Sequence, residues 1–270
     1  MLKGYVLITG GNKGIGLALA KTFAKNGHPL VLVGKDASAL YRARDILKND
    51  YHVPVSLIQR DLTKKENVQA IYTLLQHRKI QIDILVNNAG FGTYGPFIET
   101  DLEKELQLIQ LNMQCVTHMT KLFSKDMAAR GYGKILNIAS TSAFQPGPYM
   151  AVYFASKAYV LHFSEALHHE FNRYGVTVTA LCPGPTKTDF TEHAKGSGKA
   201  RIFQSMLPVE KVAYLGYKAL MNNQSYKVVG FKNNLLRQLN RCMPRGLTVA
   251  ITGMLLSKVD HPISELVKKE

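Results

Sequence analysis

The sequence predicts an α/β fold: one doubly wound sheet of about seven parallel strands, helices on both faces, and a helical C-terminal extension. Three observations lead there. Short apolar runs alternate regularly with longer stretches of helical periodicity. The runs are too continuous for half-exposed antiparallel strands and suit strands covered on both faces. No internal repeat or proline-rich linker divides the series, so one domain is expected. Right-handed crossovers would then wind a parallel sheet outwards from its centre.

The elements follow in order. Tyr5–Thr9 reads as a strand and Ile15–Asn26 as a helix closed by Gly27; Pro29–Gly34 is the next strand, with a helix through Tyr41–Asn49. Val55–Arg60 reads as a strand, Lys65–Gln76 as a helix, and Ile84–Asn87 as a strand. One long helix is expected from about Leu102 to Ala129, followed by a strand at Lys134–Ala139. A helix from about Ala151 to Arg173 leads to a strand at Val176–Leu181, a helix at Val209–Met221 and a last strand at Tyr226–Gly230. The expected division is a main domain over 1–230, with a covering lid at about 190–207, and an extension over 231–270 packed on the same domain or on a partner subunit.

Composition narrows the function. The chain has 270 residues, is 46% hydrophobic and 20% charged, and carries a formal charge of +15. Such a charge can serve nucleic acid, an anionic membrane or anionic small molecules. The basic residues are dispersed, without zinc-finger spacing or an RNA-binding signature, so no nucleic-acid role is expected. Cys115, Cys182 and Cys242 form no CxxC pair and suggest neither a disulfide framework nor a metal site. With no signal-peptide pattern and no apolar stretch of bilayer length, a soluble, cytoplasmic protein is expected.

Ligands on doubly wound sheets bind at the carboxyl ends of the strands, where the strand order reverses. The chemistry-bearing residues fall at those ends: Thr9–Gly16, Gly34–Asp36, Asp61, Asn87–Gly90, Ser140 and Pro183–Thr188. The loop Thr9-Gly10-Gly11-Asn12-Lys13-Gly14-Ile15-Gly16 joins the first strand to the first helix. Gly10 would allow the tight turn, Gly14 the approach of a pyrophosphate and Gly16 close packing of helix on strand, as in a Rossmann-like dinucleotide site. At the end of the second strand Lys35 could pair with a ribose 2′-phosphate, with Lys13 as a second cation. Asp36 could instead bind a 2′-hydroxyl, or simply cap the next helix.

Tyr153 and Lys157 lie four residues apart in a helix and share a face. A free tyrosine titrates near 10 and is a poor acid–base at neutrality; a neighbouring ammonium would favour its phenolate. Ser140, at a strand end, could hydrogen-bond a substrate oxygen. The spacing alone means little, because Tyr214 and Lys218 repeat it. Only Tyr153 has Ser140, Asn112 and the glycine loop in register.

With these motifs in order, residues 1 to about 230 resemble the short-chain dehydrogenase/reductase superfamily. TGxxxGxG stands at Thr9–Gly16, NNAG at Asn87–Gly90, the catalytic Asn at Asn112, Ser at Ser140, YxxxK at Tyr153–Lys157 and PGxxxT at Pro183–Thr188. The resemblance implies a carbonyl reductase or alcohol dehydrogenase that passes hydride between a nicotinamide and a ketone, aldehyde or secondary alcohol. Tyr153 would act as the general acid/base, Ser140 would orient the substrate, and Lys157 would hold the nicotinamide ribose. Asn112 would hold a water that relays protons through Lys157. Asp61 would reach the adenine, with Leu62 beside it in the cofactor set; Asn88, Ala89 and Gly90 would line the ribose. Thr188, with Pro183, Gly184 and Thr186, would bind the carboxamide. In this family a basic residue at the position of Lys35 goes with NADP(H), and Gly34 occupies the place of the acidic NAD determinant. A homodimer or homotetramer is implied. The alternative reading is a catalytically silent, NADP-sensing regulator.

The tail is similar to that of bacterial short-chain reductases of unassigned substrate. Leu235, Leu236, Leu239 and Met243 recur at helical spacing among Lys232, Arg237, Arg241 and Arg245. Such a helix packs on its own domain or on a partner subunit; contact with an anionic membrane surface is the other reading.

Overall fold

The structure, a computed structural model, describes residues 4–188 and 206–257. Seven strands form one wholly parallel sheet: β1 (Tyr5–Thr9), β2 (Leu30–Gly34), β3 (Val55–Gln59), β4 (Ile82–Asn87), β5 (Gly133–Ile138), β6 (Val176–Cys182) and β7 (Tyr226–Val228). Their spatial order is β3-β2-β1-β4-β5-β6-β7, so the winding direction reverses between β1 and β4. Ile8 pairs with Leu32 on one side and Val86 on the other, which brings the ends of β1, β2 and β4 to one level.

The helices are α1 (Gly14–Lys25), α2 (Ala37–Tyr51), α3 (Lys65–His77), α4 (Leu102–Ile109), α5 (Val116–Arg130), α6 (Ala151–Phe171), α7 (Val209–Met221), α8 (Phe231–Cys242) and α9 (Arg245–Leu256). Alternation along β1 divides the core. Val6 and Ile8 face a cluster holding Leu19 and Phe23 of α1, Leu40 and Leu47 of α2, and Val212 and Leu220 of α7. Leu7 faces the opposite cluster, with Val68 and Ile71 of α3 and Met119 and Phe123 of α5. Each fully buried side chain of this size contributes about 1.5–3 kcal/mol of transfer free energy, which is why the sheet must be covered on both sides.

Three local features differ from the sequence expectation. α2 begins at Ala37 rather than Tyr41, because the Asp36 carboxylate accepts from the Ala39 amide at 3.0 Å and caps the first turn. The long helix expected from Leu102 is interrupted by a π-helical segment, Gln110–Cys115, between α4 and α5. Strand β7 ends at Val228, since Gly230 takes φ +95° and turns the chain into α8. Of the expected lid, 190–205 lies outside the described residues, while Leu207 bridges in parallel to Thr186.

The tail packs on the domain through its polar side. α8 contains no buried residue, and its inward side is polar. Leu235, Leu236 and Leu239 point outwards, each more than half exposed. No described helix is long and apolar enough to cross a membrane.

Candidate active site

The glycine loop is stitched to the strand across the switch point. Thr9 Oγ1 accepts from the amides of Asn88 (2.9 Å) and Ala89 (3.0 Å) and donates to the Val86 carbonyl (3.3 Å). Asn88 Nδ2 donates back to the carbonyls of Thr9 (2.9 Å) and Gly10 (3.2 Å). A Cβ at Gly16 would sit 2.1 Å from the Gly10 carbonyl oxygen, so α1 can start this close to the turn only with glycine there. Gly14 differs: it has φ +53°, and its Cβ would meet only the Thr188 side chain, at 3.4 Å. Gly14 and Thr188 thus come face to face, joining the glycine loop to the segment after β6.

The start of α1 suits an anion. Its N-cap, Lys13, makes no side-chain capping bond, and its first turn holds no acidic residue. First-turn amides and the helix dipole favour negative charge there. Asn12 and Ile15 flank that turn, and the Asn12 Oδ1 lies 3.0 Å from where a Cβ on Gly34 would be. The residues fit a dinucleotide pyrophosphate.

Beyond β2 and β3 lies a groove of about 680 Å³, lined by Lys35, Gln59, Arg60, Asp61, Glu66, Asn67 and Ala70. Lys35 and Asp36 are exposed, but the Asp36 carboxylate is taken up by the α2 cap. Asp61 accepts from Thr63 N at 3.0 Å and Thr63 Oγ1 at 2.8 Å. Burial pushes its carboxyl up; those bonds and the charges of Lys35 and Lys64 outweigh it and hold Asp61 below the ordinary value. Leu62 turns the other way, into the core beside α3.

Four polar side chains are buried at the ends of β4 and β5. Ser140 closes β5, and its Oγ caps a turn of 3-10 helix, Thr141–Phe144, by accepting from Ser142 N at 3.1 Å. Tyr153 and Lys157 stand one turn apart on α6, both buried. Lys157 Nζ donates to the Ile138 carbonyl at 2.8 Å and lies 5.7 Å from the centroid of the Tyr153 ring. Asn112 sits in the π-helical segment, a departure from α-helix that recurs at functional sites. Its Nδ2 donates to the Phe91 carbonyl (3.0 Å) and Ser156 Oγ (3.1 Å), and its Oδ1 accepts from Phe91 N (3.2 Å). Ser156 in turn donates to the Tyr153 carbonyl at 2.7 Å. A Cβ on Gly90 would lie 2.8 Å from Asn112 Oδ1 and 3.8 Å from Lys157 Nζ, so the NNAG turn closes on this group.

Burial dominates the electrostatics. It pushes Tyr153 up to about 12, against a hydrogen bond from Ser140 that works the other way. It pulls Lys157 down to about 8. The expected depression of Tyr153 by its lysine is therefore not met by the protein's own groups: the ammonium faces the ring and is bonded to a backbone carbonyl. Tyr214 is 55% exposed on α7 and Lys218 is exposed beside it, so the second pair of the same spacing is a surface feature.

A family model described as short chain dehydrogenase matches residues 4–197. The chain belongs to the short-chain dehydrogenase family. Among similar proteins, a very-long-chain 3-oxoacyl-CoA reductase from Anas platyrhynchos is 33% identical over 202 residues, covering 73% of this chain and 64% of that protein. The Mus musculus protein of the same name is 34% identical, covering 66% and 58%. The chain thus spans less than two thirds of the length of these relatives. An uncharacterized oxidoreductase of Staphylococcus epidermidis is 30% identical over 69% of this chain and 79% of its own. Among solved structures, a short-chain dehydrogenase from Sphingobium yanoikuyae in complex with NADPH superposes with a TM-score of 0.79 at 29% identity, covering 88% and 94% of the two chains. The bulky-bulky ketone specific alcohol dehydrogenase from Comamonas testosteroni superposes at 0.74 with 27% identity, covering 96% of each.

Several residues around the candidate site of this short-chain dehydrogenase escape motif reading. Ser156 falls between Tyr153 and Lys157 and ties Asn112 to α6; its only signal is a small polar residue on the buried side of a helix. Arg60 places a second cation in the groove with Lys35. Leu256, far along the extension, joins Leu108, Met150, Phe154 and Tyr153 in one apolar cluster. Nothing in its own neighbourhood of sequence announces that.

Proposed function

We infer that the protein is an NADPH-dependent oxidoreductase that transfers hydride between the nicotinamide and a ketone, an aldehyde or a secondary alcohol. The observation that carries this reading is the convergence of Asn112, Ser140, Tyr153 and Lys157, all buried, at the strand ends beside an uncapped helix N-terminus. NADPH, when bound, supplies the hydride. The Tyr153 hydroxyl supplies the matching proton to the carbonyl oxygen, and the same group receives it when an alcohol is oxidised. Ser140 Oγ, bonded to Tyr153, orients the oxygen that takes that proton. Lys157, fixed by the Ile138 carbonyl and close to Gly90, would hold the nicotinamide ribose. Asn112 holds the NNAG turn against α6 and is placed for a proton-relaying water. Gly10 to Gly16 would take the pyrophosphate, Asp61 the adenine side, Asn88 to Gly90 the ribose, and Pro183 to Thr188 the carboxamide, while the Leu62 side chain stays in the core.

Lys35, with Arg60 in the same groove, supports NADP(H) over NAD(H), because a 2′-phosphate gains charge-assisted hydrogen bonds there. The Asp36 carboxylate uses Oδ1 to cap α2, which weighs against its use on a ribose 2′-hydroxyl. An apolar wall around Tyr153, from Tyr94, Leu108, Met150, Phe154 and Leu256, supports a carbonyl flanked by a bulky apolar skeleton. The names of a similar reductase and a similar alcohol dehydrogenase, which concern a 3-oxoacyl-CoA and a bulky-bulky ketone, agree with that class. The test is NADPH oxidation over a panel of ketones and aldehydes, with Tyr153→Phe alongside. A loss of at least about a hundredfold in kcat is expected, the ordinary scale of general acid–base catalysis. Unchanged turnover in the variant would refute the mechanism.

A further inference from the structure

The two helices of the extension are patterned inside out. On α8 the side facing the domain is polar: Asn233 Nδ2 donates to the Val229 carbonyl at 2.7 Å, and Asn240 Nδ2 to Gln145 Oε1 at 3.1 Å. Arg237 donates to the Tyr226 hydroxyl at 3.1 Å and lies over the Phe144 and Tyr226 rings. The opposite side carries Phe231 (83% exposed), Leu235, Leu236 and Leu239. α9 repeats the arrangement. Thr248, Thr252 and Leu256 are buried at four-residue spacing, while Leu247, Ile251, Met254 and Leu255 are exposed. An amphipathic helix ordinarily buries its apolar stripe, and exposed apolar patches of this kind mark interaction surfaces.

Charge identifies the occupant. From Phe231 to Leu256 there is no Asp or Glu, whereas Lys232, Arg237, Arg241 and Arg245 are basic. A second copy of a chain with formal charge +15 would bring the same positive tail to this face and repel it. Nucleic acid would satisfy the charge but offer the leucines nothing apolar. A surface that is anionic outside and hydrocarbon a few ångströms deeper matches both features. We propose that α8 and α9 dock this protein on an anionic lipid surface, with Phe231, Leu235, Leu236 and Leu239 entering the interface and Lys232 and Arg241 meeting the headgroups. Leu256 of α9 also packs in the cluster around Tyr153, so the docked extension adjoins the proposed site.

The test is co-sedimentation of the full chain with vesicles of phosphatidylcholine and phosphatidylglycerol in equal parts, against phosphatidylcholine alone, at low and high salt. Binding to the anionic vesicles, weakened by salt, is the expected result. Leu235→Glu combined with Leu239→Glu should lower partitioning by at least about tenfold, with unchanged circular dichroism and Tm. The double variant Lys232→Glu/Arg241→Glu should lower it too and keeps the outcome decisive if the first variant folds poorly. The proposal is overturned if the protein stays in the supernatant with anionic vesicles. It is equally overturned if the leucine variants merely dissolve a concentration-dependent dimer, or if the protein is retained on a DNA oligonucleotide and not on vesicles. None of these readouts depends on catalysis, so the proposed reaction stands or falls separately.

Discussion

Asn112 offers the most direct test of how the site is built. Substitution to alanine removes three hydrogen bonds, at 3.0, 3.1 and 3.2 Å, from a side chain that is 1% exposed. A protein hydrogen bond is worth about 0.5–1.5 kcal/mol net, and more when a buried partner is left unsatisfied. The partners here differ. Phe91 is only partly buried, so its amide and carbonyl can recover water, while Ser156 Oγ keeps its bond to the Tyr153 carbonyl at 2.7 Å. The loss therefore falls near the sum of three ordinary bonds, about 2–3 kcal/mol. Urea unfolding should show the midpoint falling at constant m, and Tm should drop by about 5–10 °C for a chain of this size. Ser156→Ala alone should cost about 1 kcal/mol, and the double variant should cost less than the sum of the singles, since they share a bond. A loss below about 0.5 kcal/mol for Asn112→Ala, the range of ordinary surface substitutions, would refute the claim that this side chain fastens the NNAG turn to α6.

Other consequences follow from the same geometry. Gly16→Ala places a Cβ 2.1 Å from the Gly10 carbonyl oxygen and must push the glycine loop away from α1; NADPH affinity by calorimetry should fall at least about tenfold, a 1.4 kcal/mol effect, and an unchanged Kd would contradict the loop's role. Lys35→Ala should weaken NADPH by about tenfold or more while leaving NADH nearly unchanged, whereas Asp36→Ala should cost about 1 kcal/mol of stability through the lost cap and leave that preference alone; a preference switched by Asp36 and not by Lys35 would reverse the assignment. For pH, Lys157 titrates at about 8 in the fold against an ordinary 10.5, so the folded chain binds fewer protons across that window and its contribution to stability grows as pH rises through it. Relative to Lys157→Met, the wild type should gain stability from about pH 8 to 10.5 in denaturant titrations; a flat difference would mean the ammonium is not desolvated.

The sheet was legible because its strands are apolar enough to be covered on both faces, and because each helix between them shows its own period. The site was legible where a backbone requirement leaves a residue signature: Gly10, Gly14 and Gly16 announce a loop that only glycines can form. What stayed hidden depends on tertiary distance. The π-helical segment at Gln110–Cys115 leaves no periodicity that marks it within a helix of that length. The tie from Asn112 to Phe91 and Ser156 spans 21 and 44 residues of chain. In the extension, the orientation of the helix stayed hidden for a different reason. Its leucine period is genuine, but a period says which residues share a face and not which way that face points; the hydrogen bonds of Asn233, Arg237 and Asn240 decide it.

The opposed shifts at Tyr153 and Lys157 bear on the direction of the proposed reaction. The usual argument lets a neighbouring ammonium depress the phenol. Here the Lys157 cation is bonded to the Ile138 carbonyl and lies over the tyrosine ring, and burial outweighs the Ser140 hydrogen bond, leaving Tyr153 at about 12. At neutral pH the phenol is thus the neutral form, the one that can donate a proton to a reduced carbonyl. Alcohol oxidation needs the phenolate instead, which must be reached against burial with help from the Ser140 hydrogen bond. The positive charge of an oxidised nicotinamide is the contribution that would lower that cost, and it is present in the oxidative direction alone. In the proposed mechanism, then, Tyr153 needs no prior ionisation to act as the acid in reduction, whereas its use as a base would draw on the cofactor's charge.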